Sequence, residues 1–195
     1  MQSLIQDYKK YKWFITFSGK TVIGGKNALQ NDELLKKVIS LSESTQIMHT
    51  SSPGSPFSVI LTPLKKITRQ DIEECAIFTA CFSQAWKAGK SKSNVDIFNS
   101  SQLNKEKNMK AGMWKVTGKV QRISVPLKLA LTHQQGILRA VPEKTLKNFK
   151  NRICTIIPGK IDKKDLFVKI ALEEFSFTQE EFLAALPAGG SKIVT

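Results

Sequence analysis

Apolar and polar positions alternate early in the chain. In YKWFITFSGKTVIGG, Trp13, Ile15 and Phe17 interleave with Phe14, Thr16 and Ser18, and Ser18-Gly19 supplies turn residues, which predicts a β-hairpin. The period then changes. Leu34, Leu35, Val38 and Ile39 fall at helical spacing and predict a helix over 28–40, with Asn27 as N-cap and Gln30 completing a capping box. TQIMHT and FSVILT predict two more strands, joined by SSPGSP, whose prolines cannot donate to a ladder. ITRQDIEECAIFTACFSQAWKAG predicts one helix, capped by Thr68 with Asp71 three residues on and ended by Gly89. From Cys75 to Phe82 it is apolar almost all round, which predicts burial against a sheet.

Beyond a basic segment, MWKVTGKVQRISVPL predicts strand broken at Gly118, and LKLALTHQQGILRAV predicts strands that turn at Gln135-Gly136. PEKTLKNFKN predicts a short amphipathic helix and ICTIIPG a short strand. DKKDLFVKIALEEF and TQEEFLAALP predict two closing helices, the second with a Thr178–Glu181 capping box and a Phe177–Phe182 staple. The fold class is α+β: an antiparallel or mixed sheet of hairpins, a buried central helix and a helical C-terminal extension.

Composition narrows the chemistry. The 195 residues suit one domain with an extension, and 41% hydrophobic residues can fill a core. No apolar run approaches a membrane span. MQSLIQDYKKYK lacks the basic-then-apolar order of a signal peptide, so the expected compartment is the cytoplasm. Cys75, Cys81 and Cys154 form no close pair and read as reduced thiols. His49 and His133 stand apart, with no metal-ligand spacing, so neither metal nor cofactor is expected.

Charge points to a polyanion partner. Lys and Arg number 30 against 16 Asp and Glu, a formal net charge of +14. Residues 87–122 carry nine basic and two acidic groups, half of that excess: Lys87, Lys90, Lys92, Lys105, Lys107, Lys110, Lys115, Lys119 and Arg122. Trp86 and Trp114 bracket most of the segment. Interleaved cations and rings suit single-stranded or irregular RNA, and lysine over arginine favours contacts of low sequence specificity. Solvated surface is the plain alternative for the lysines, and a core position for Trp86. A second basic set lies over residues 143–164, from Lys144 to Lys164.

Enzyme templates fit poorly. SGKT at residues 18–21 ends like a P-loop, but the upstream glycine is missing and the letters fall between strands rather than before a helix. His49 with Ser51, Ser52 or Ser55 is a conceivable nucleophile pair, though no feature singles out one serine. His49 reads equally as a hydrogen-bonding surface residue or a nucleic-acid contact.

Four ordered motifs over residues 11–119 carry a family resemblance: KWFITFSGKTVIGGKNALQND, IMHTSSPGSPFSVI, DIEECAIFTACFSQAWKAGKS and QLNKEKNMKAGMWKVTGK. Together they resemble the NFACT-R domain. The resemblance implies RNA binding in ribosome-associated factors that act on stalled large subunits and peptidyl-tRNA. A related eukaryotic membrane protein uses such a domain on DNA. Asn27, Asp32 and Ser51 depart from the family pattern. The division expected is an NFACT-R-like domain over 1–122 and an extension over 123–195, a hairpin plus helices similar to one in archaeal members.

The resulting expectation is a non-catalytic binder of tRNA or rRNA, with the ribosome as a possible platform and DNA as a possible ligand. Lys26, Asn27, Asn31, His49 and Ser51 would form a polar patch beside Gly24-Gly25. Lys87, Lys90, Lys92, Lys105, Lys107, Lys110 and Trp114 would meet phosphates and bases. Two other readings stay open: an RNA-processing enzyme or its accessory using His49, and a protein-interaction adaptor on the ribosome.

Overall fold

A computed structural model describes residues 1–171 and 177–194. The elements are α1 (Gln2–Gln6), β1 (Lys12–Ile15), β2 (Thr21–Gly24), α2 (Ala28–Ile39), β3 (Gln46–Thr50), β4 (Ser58–Ile60), α3 (Arg69–Cys81), α4 (Gln84–Lys87) and β5 (Lys92–Asn99). Then follow β6 (Leu103–Asn104), β7 (Lys115–Val116), β8 (Gln121–Pro126), β9 (Leu129–Gln134), β10 (Ile137–Val141), β11 (Cys154–Ile161), α5 (Lys163–Ala171), α6 (Gln179–Ala185) and β12 (Ser191–Val194). A six-stranded sheet in the order β1-β2-β4-β3-β5-β8 and a four-stranded sheet in the order β10-β9-β11-β12 are both antiparallel. The expected α+β class holds.

Alternation in the first sheet serves two buried faces. Phe14, Val22, Met48, Ile60, Val95 and Ile97 turn to α3, while Trp13, Ile23, Ile47, Val59 and Phe98 turn to the side where α2 buries Leu34, Leu35 and Val38. The other side of α3 meets Leu129, Leu131, Leu138 and Ile156 of the second sheet, with Leu166 and Phe182 of α5 and α6. So α3 has sheet on both sides, which explains its apolar circumference. The core runs without interruption from the first sheet into the C-terminal region, and β8 straddles residue 122 as a strand of the first sheet.

The SGK turn fastens to α3. Gly19 takes φ +86°, a conformation free of cost only for glycine. Asp71, 1% exposed, accepts from Thr16 Oγ1 at 2.7 Å, Lys20 Nζ at 2.8 Å, Thr68 N at 2.8 Å and Thr68 Oγ1 at 2.7 Å, and from Ser18 Oγ. Burial pushes its pKa up, but the hydrogen bonds from Lys20, Ser18, Thr68 and Thr16 outweigh it and hold the carboxyl well below the usual range. An unpaired buried carboxylate would cost several kcal/mol, roughly, so these donors are the condition for α3 entering the layer. The letters that imitate a P-loop are a staple.

Four expectations need correction. The helix predicted to Gly89 breaks at Phe82-Ser83, because Ser83 donates to Ala80 O at 2.7 Å and accepts from Ala85 N at 3.1 Å, capping α4 afresh. The basic segment after it contains β5, whose Val95 and Ile97 alternate with Asn94 and Asp96. PEKTLKNFKN forms only two short 3-10 turns, Glu143–Thr145 and Phe149–Asn151, with Asn148 extended between them and capping Lys150 N. SKIV is a strand, β12. The Thr178–Glu181 box and the stacked Phe177–Phe182 pair form as expected. The continuation of the first closing helix through Glu173-Glu174 lies outside the described residues.

The extension also touches the edge of the first sheet. The Gln134 side chain accepts from Ile15 N at 2.8 Å and donates to Ile15 O at 2.8 Å, acting as one rung of a ladder beside β1. Asp71→Ala is expected to lower stability by about 3–5 kcal/mol, measured by urea unfolding. Because the native carboxyl is depressed, its contribution is full above the unfolded value near 3.8 and is lost as pH falls below it. An unfolding midpoint unchanged by the substitution would remove Asp71 from this role.

Candidate functional site

One cleft of about 710 Å³ opens between three segments: the β2–α2 turn, the β3–β4 loop, and residues 111–120. Lys26, Asn27, Asn31, His49, Ser51 and Trp114, all expected as site residues, line it together. Phe57, Phe98, Val116 and Val120 supply an apolar surface, and Lys12, Phe82, Gln84 and Ala188 line it as well. The size falls within the range of roughly 300–1,000 Å³ common to small-ligand pockets.

Gly25 permits the first wall. A Cβ there would lie 2.2 Å from Asn31 Oδ1 and 2.8 Å from Asn31 N. That close approach lets Asn31, 7% exposed, accept from Phe57 N at 3.2 Å and tie α2 to the β3–β4 loop. Asn31 therefore builds the site more than it faces it. Asn27 caps α2 by accepting from Gln30 N at 2.9 Å. The predicted box closes one residue earlier than expected, since Gln30 Oε1 accepts from Lys26 N at 2.8 Å. The Lys26 side chain is left exposed beside the helix N-terminus.

Asp32 organises the third wall, a role that its departure from the family pattern does not reveal. Its Oδ1 accepts from Trp114 Nε1 at 2.8 Å and Gly112 N at 3.0 Å, while Lys105 Nζ lies 3.1 Å from Oδ2. Burial raises the Asp32 pKa, but these bonds outweigh it and the net shift is downward. Lys105 also donates to Lys110 O and Met113 O, both at 2.9 Å. Its ammonium is thus spent inside the fold, which corrects its expected place among the phosphate contacts. Lys107 and Lys110, on the same loop, are exposed.

His49 is held as a neutral acceptor. Its Nδ1 lies 2.7 Å from Thr50 O, so that nitrogen carries the proton and Nε2 keeps its lone pair. Burial lowers its pKa, and the opposing influences of Thr50 O and Asp96 do not reverse this. Its ring lies over Phe57 at 4.4 Å and 32°. Ser51 Oγ donates to Asp96 at 2.8 Å, and Asp96 is also gripped by Arg122 at 2.6 and 3.1 Å. Ser51 thereby commits its proton to Asp96 rather than to the His49 ring.

Lys87, Lys90 and Lys92 are exposed around the end of α4 and the start of β5, outside the cleft lining. Trp86 is a core residue, 1% exposed, whose Nε1 donates to Gly190 O and Ser191 Oγ. Sequence reasoning missed Lys12, Phe57 and Phe98. Their only signal was apolar strand character, or a lysine at a strand start.

Comparison with known proteins gives three matches. The NFACT protein RNA binding domain matches residues 10–118, more than half of the chain. Archaeal Rqc2 homolog aRqcH of Methanocaldococcus jannaschii is 26% identical over 198 residues, taking in 96% of this chain and 29% of that one. The chain thus spans under a third of the length of that relative. The structure of the C-terminal of the fibronectin/fibrinogen-binding protein from Streptococcus suis is similar with a TM-score of 0.50 at 25% identity, over 58% of this chain and 44% of that one.

Asp32→Ala is expected to cost about 2–3 kcal/mol, since it strands a half-buried lysine and an indole N–H. Trp13 and Trp86 are buried, so a red shift of tryptophan emission in that variant would report release of Trp114. Native-like emission with unchanged stability would show that the loop holds without Asp32.

Proposed function

The chain belongs to the NFACT RNA-binding domain family, and on that premise we propose that it binds an irregular or single-stranded part of tRNA or rRNA without transforming it, in a cytoplasmic, ribosome-associated role. The observation that carries this reading is the cleft. It joins stackable rings of Trp114, Phe57 and Phe98 to the neutral acceptor of His49, with Lys12 and Lys26 on its wall. A base on an aromatic ring contributes about 1–3 kcal/mol, and lysines at the rim add an electrostatic share that falls with salt. The likeness to archaeal Rqc2 homolog aRqcH supports a place in ribosome quality control. The unit boundary is proposed after Pro126, where β8 leaves the sheet, rather than at residue 122.

Charge reversal at Lys107 and Lys110, with Lys105 left intact, is expected to weaken tRNA binding. It should also lower the slope of log K against log salt by roughly 0.7–0.9 for each phosphate no longer neutralised. His49→Ala should weaken binding while leaving the slope unchanged, and the recovered tRNA should be intact with either protein. Fluorescence anisotropy across a salt series measures the first two. Wild-type affinity and slope in both variants would remove the cleft and its rim from RNA binding, and a processed tRNA would favour an enzyme.

A further inference from the structure

Lys12 stands where the cleft meets a second, smaller cavity of about 10 Å³, and it lines both along with Phe82. Its ammonium lies 4.7 Å over the Phe82 ring. The charged groups that face it are all positive: Lys26 from the turn before α2, Arg139 from β10 and Lys163 from α5. Among the described residues, no carboxylate is within ion-pair distance of Lys12, Lys26 or Arg139. The Arg139 guanidinium sits 4.4 Å over Trp13, and its buried Nε has no hydrogen-bond partner. Lys163 is committed elsewhere, donating to Leu183 O at 3.3 Å and Leu186 O at 3.1 Å. Burial, then the neighbouring cations, lower the Lys12 pKa to about 8, and burial lowers that of Arg139. Folding has gathered positive charge here and left it without a counter-ion, which costs stability unless an anion arrives.

We propose that this end of the cleft binds the terminal phosphate of a nucleic-acid strand, held by Lys12 and Arg139 and flanked by Lys26, with the attached base in the aromatic part of the cleft. The proposal rests on the RNA-binding reading above. Two observations select a terminal phosphate over one within the chain. A monoester carries a charge of about −1.5 to −2 at neutral pH, against −1 for a diester, and so matches a cluster of cations better. Behind Lys12 the small cavity is walled by Ala184 and Ala185, and its volume of about 10 Å³ admits no further nucleotide. The site is also composite. Lys12 and Lys26 lie within the matched span 10–118, whereas Arg139 lies beyond it.

The test uses the full chain and a labelled five-nucleotide RNA ending in hydroxyls, in a 5′-phosphate or in a 3′-phosphate. Wild-type protein is expected to bind one phosphorylated form at least tenfold tighter than the hydroxyl form. Lys12→Met and Arg139→Met should reduce that increment below twofold while changing hydroxyl-form affinity less than twofold. Lys12→Met is expected to unfold at or above the wild-type temperature, because a repelled charge is removed. If Arg139→Met folds poorly, Arg139→Lys should keep the increment. Equal affinity for all three forms in the wild type overturns the proposal while leaving the RNA-binding reading intact. An increment that survives both methionine substitutions overturns it too. Loss of hydroxyl-form binding to the wild type fails the RNA reading itself. Uridine 5′-monophosphate that binds as tightly as the phosphorylated strand overturns the strand end in favour of a free nucleotide.

Discussion

A helix without a solvent face sets the terms for this molecule. From Cys75 to Cys81 every residue of α3 is buried, so the first sheet alone cannot satisfy it. The second sheet and the last two helices complete the enclosure. The polar end of α3 is the difficult part, because Asp71 and Glu74 go in with the apolar residues. Glu74 is raised in pKa by burial yet accepts from Phe17 N at 2.9 Å and Gln70 Nε2 at 2.8 Å, and Asp71 draws the whole 16–20 turn onto itself. Net hydrogen-bond gains are about 1 kcal/mol each, so the value of these bonds lies mainly in the desolvation cost that they offset.

The same logic recurs at the cleft on a smaller scale. Asp32 is one carboxylate that holds an indole, a glycine amide and a lysine, and so converts a lysine-rich loop into a wall. Asn31, its neighbour, holds the opposite wall through one accepted bond. The cleft is therefore shaped by two adjacent residues of α2 that point their oxygens in different directions. Rings exposed between such walls are already oriented, which reduces the ordering cost of a ligand.

Much of the architecture was legible in the periodicities. The first hairpin, α2, the two strands around SSPGSP, the Gln135-Gly136 turn and the capped α6 all follow local rules that long-range contacts reinforce. The failures share a cause. β5 hid within a lysine-rich segment because charge density masked a short alternation, and the helix break at Ser83 depends on a side chain choosing Ala80 O over solvent. PEKTLKNFKN has helical spacing, yet Asn148 takes an extended backbone and caps a turn instead. At the site, sequence brought Lys26, Asn27, Asn31, His49, Ser51 and Trp114 into one group, and the fold brings them into one cleft. It could not separate Lys105 from Lys107 and Lys110, because the partner that occupies Lys105 lies some seventy residues away. Nor could it reveal Arg139, which reaches Lys12 only through the packing of the extension on the sheet.

The Gln134 amide beside Ile15 has one more implication. β1 is an outer strand, and outer strands invite foreign chains to add themselves by main-chain pairing. With the Ile15 amide and carbonyl occupied by a side chain of the same molecule, an incoming strand would first have to displace that amide, and it would meet the extension in doing so. The opposite outer strand, β8, ends in Pro126, which offers no N–H. A highly charged protein built to meet long polyanions, which crowd many copies along one strand, thereby carries its own guard against fusing into shared sheets.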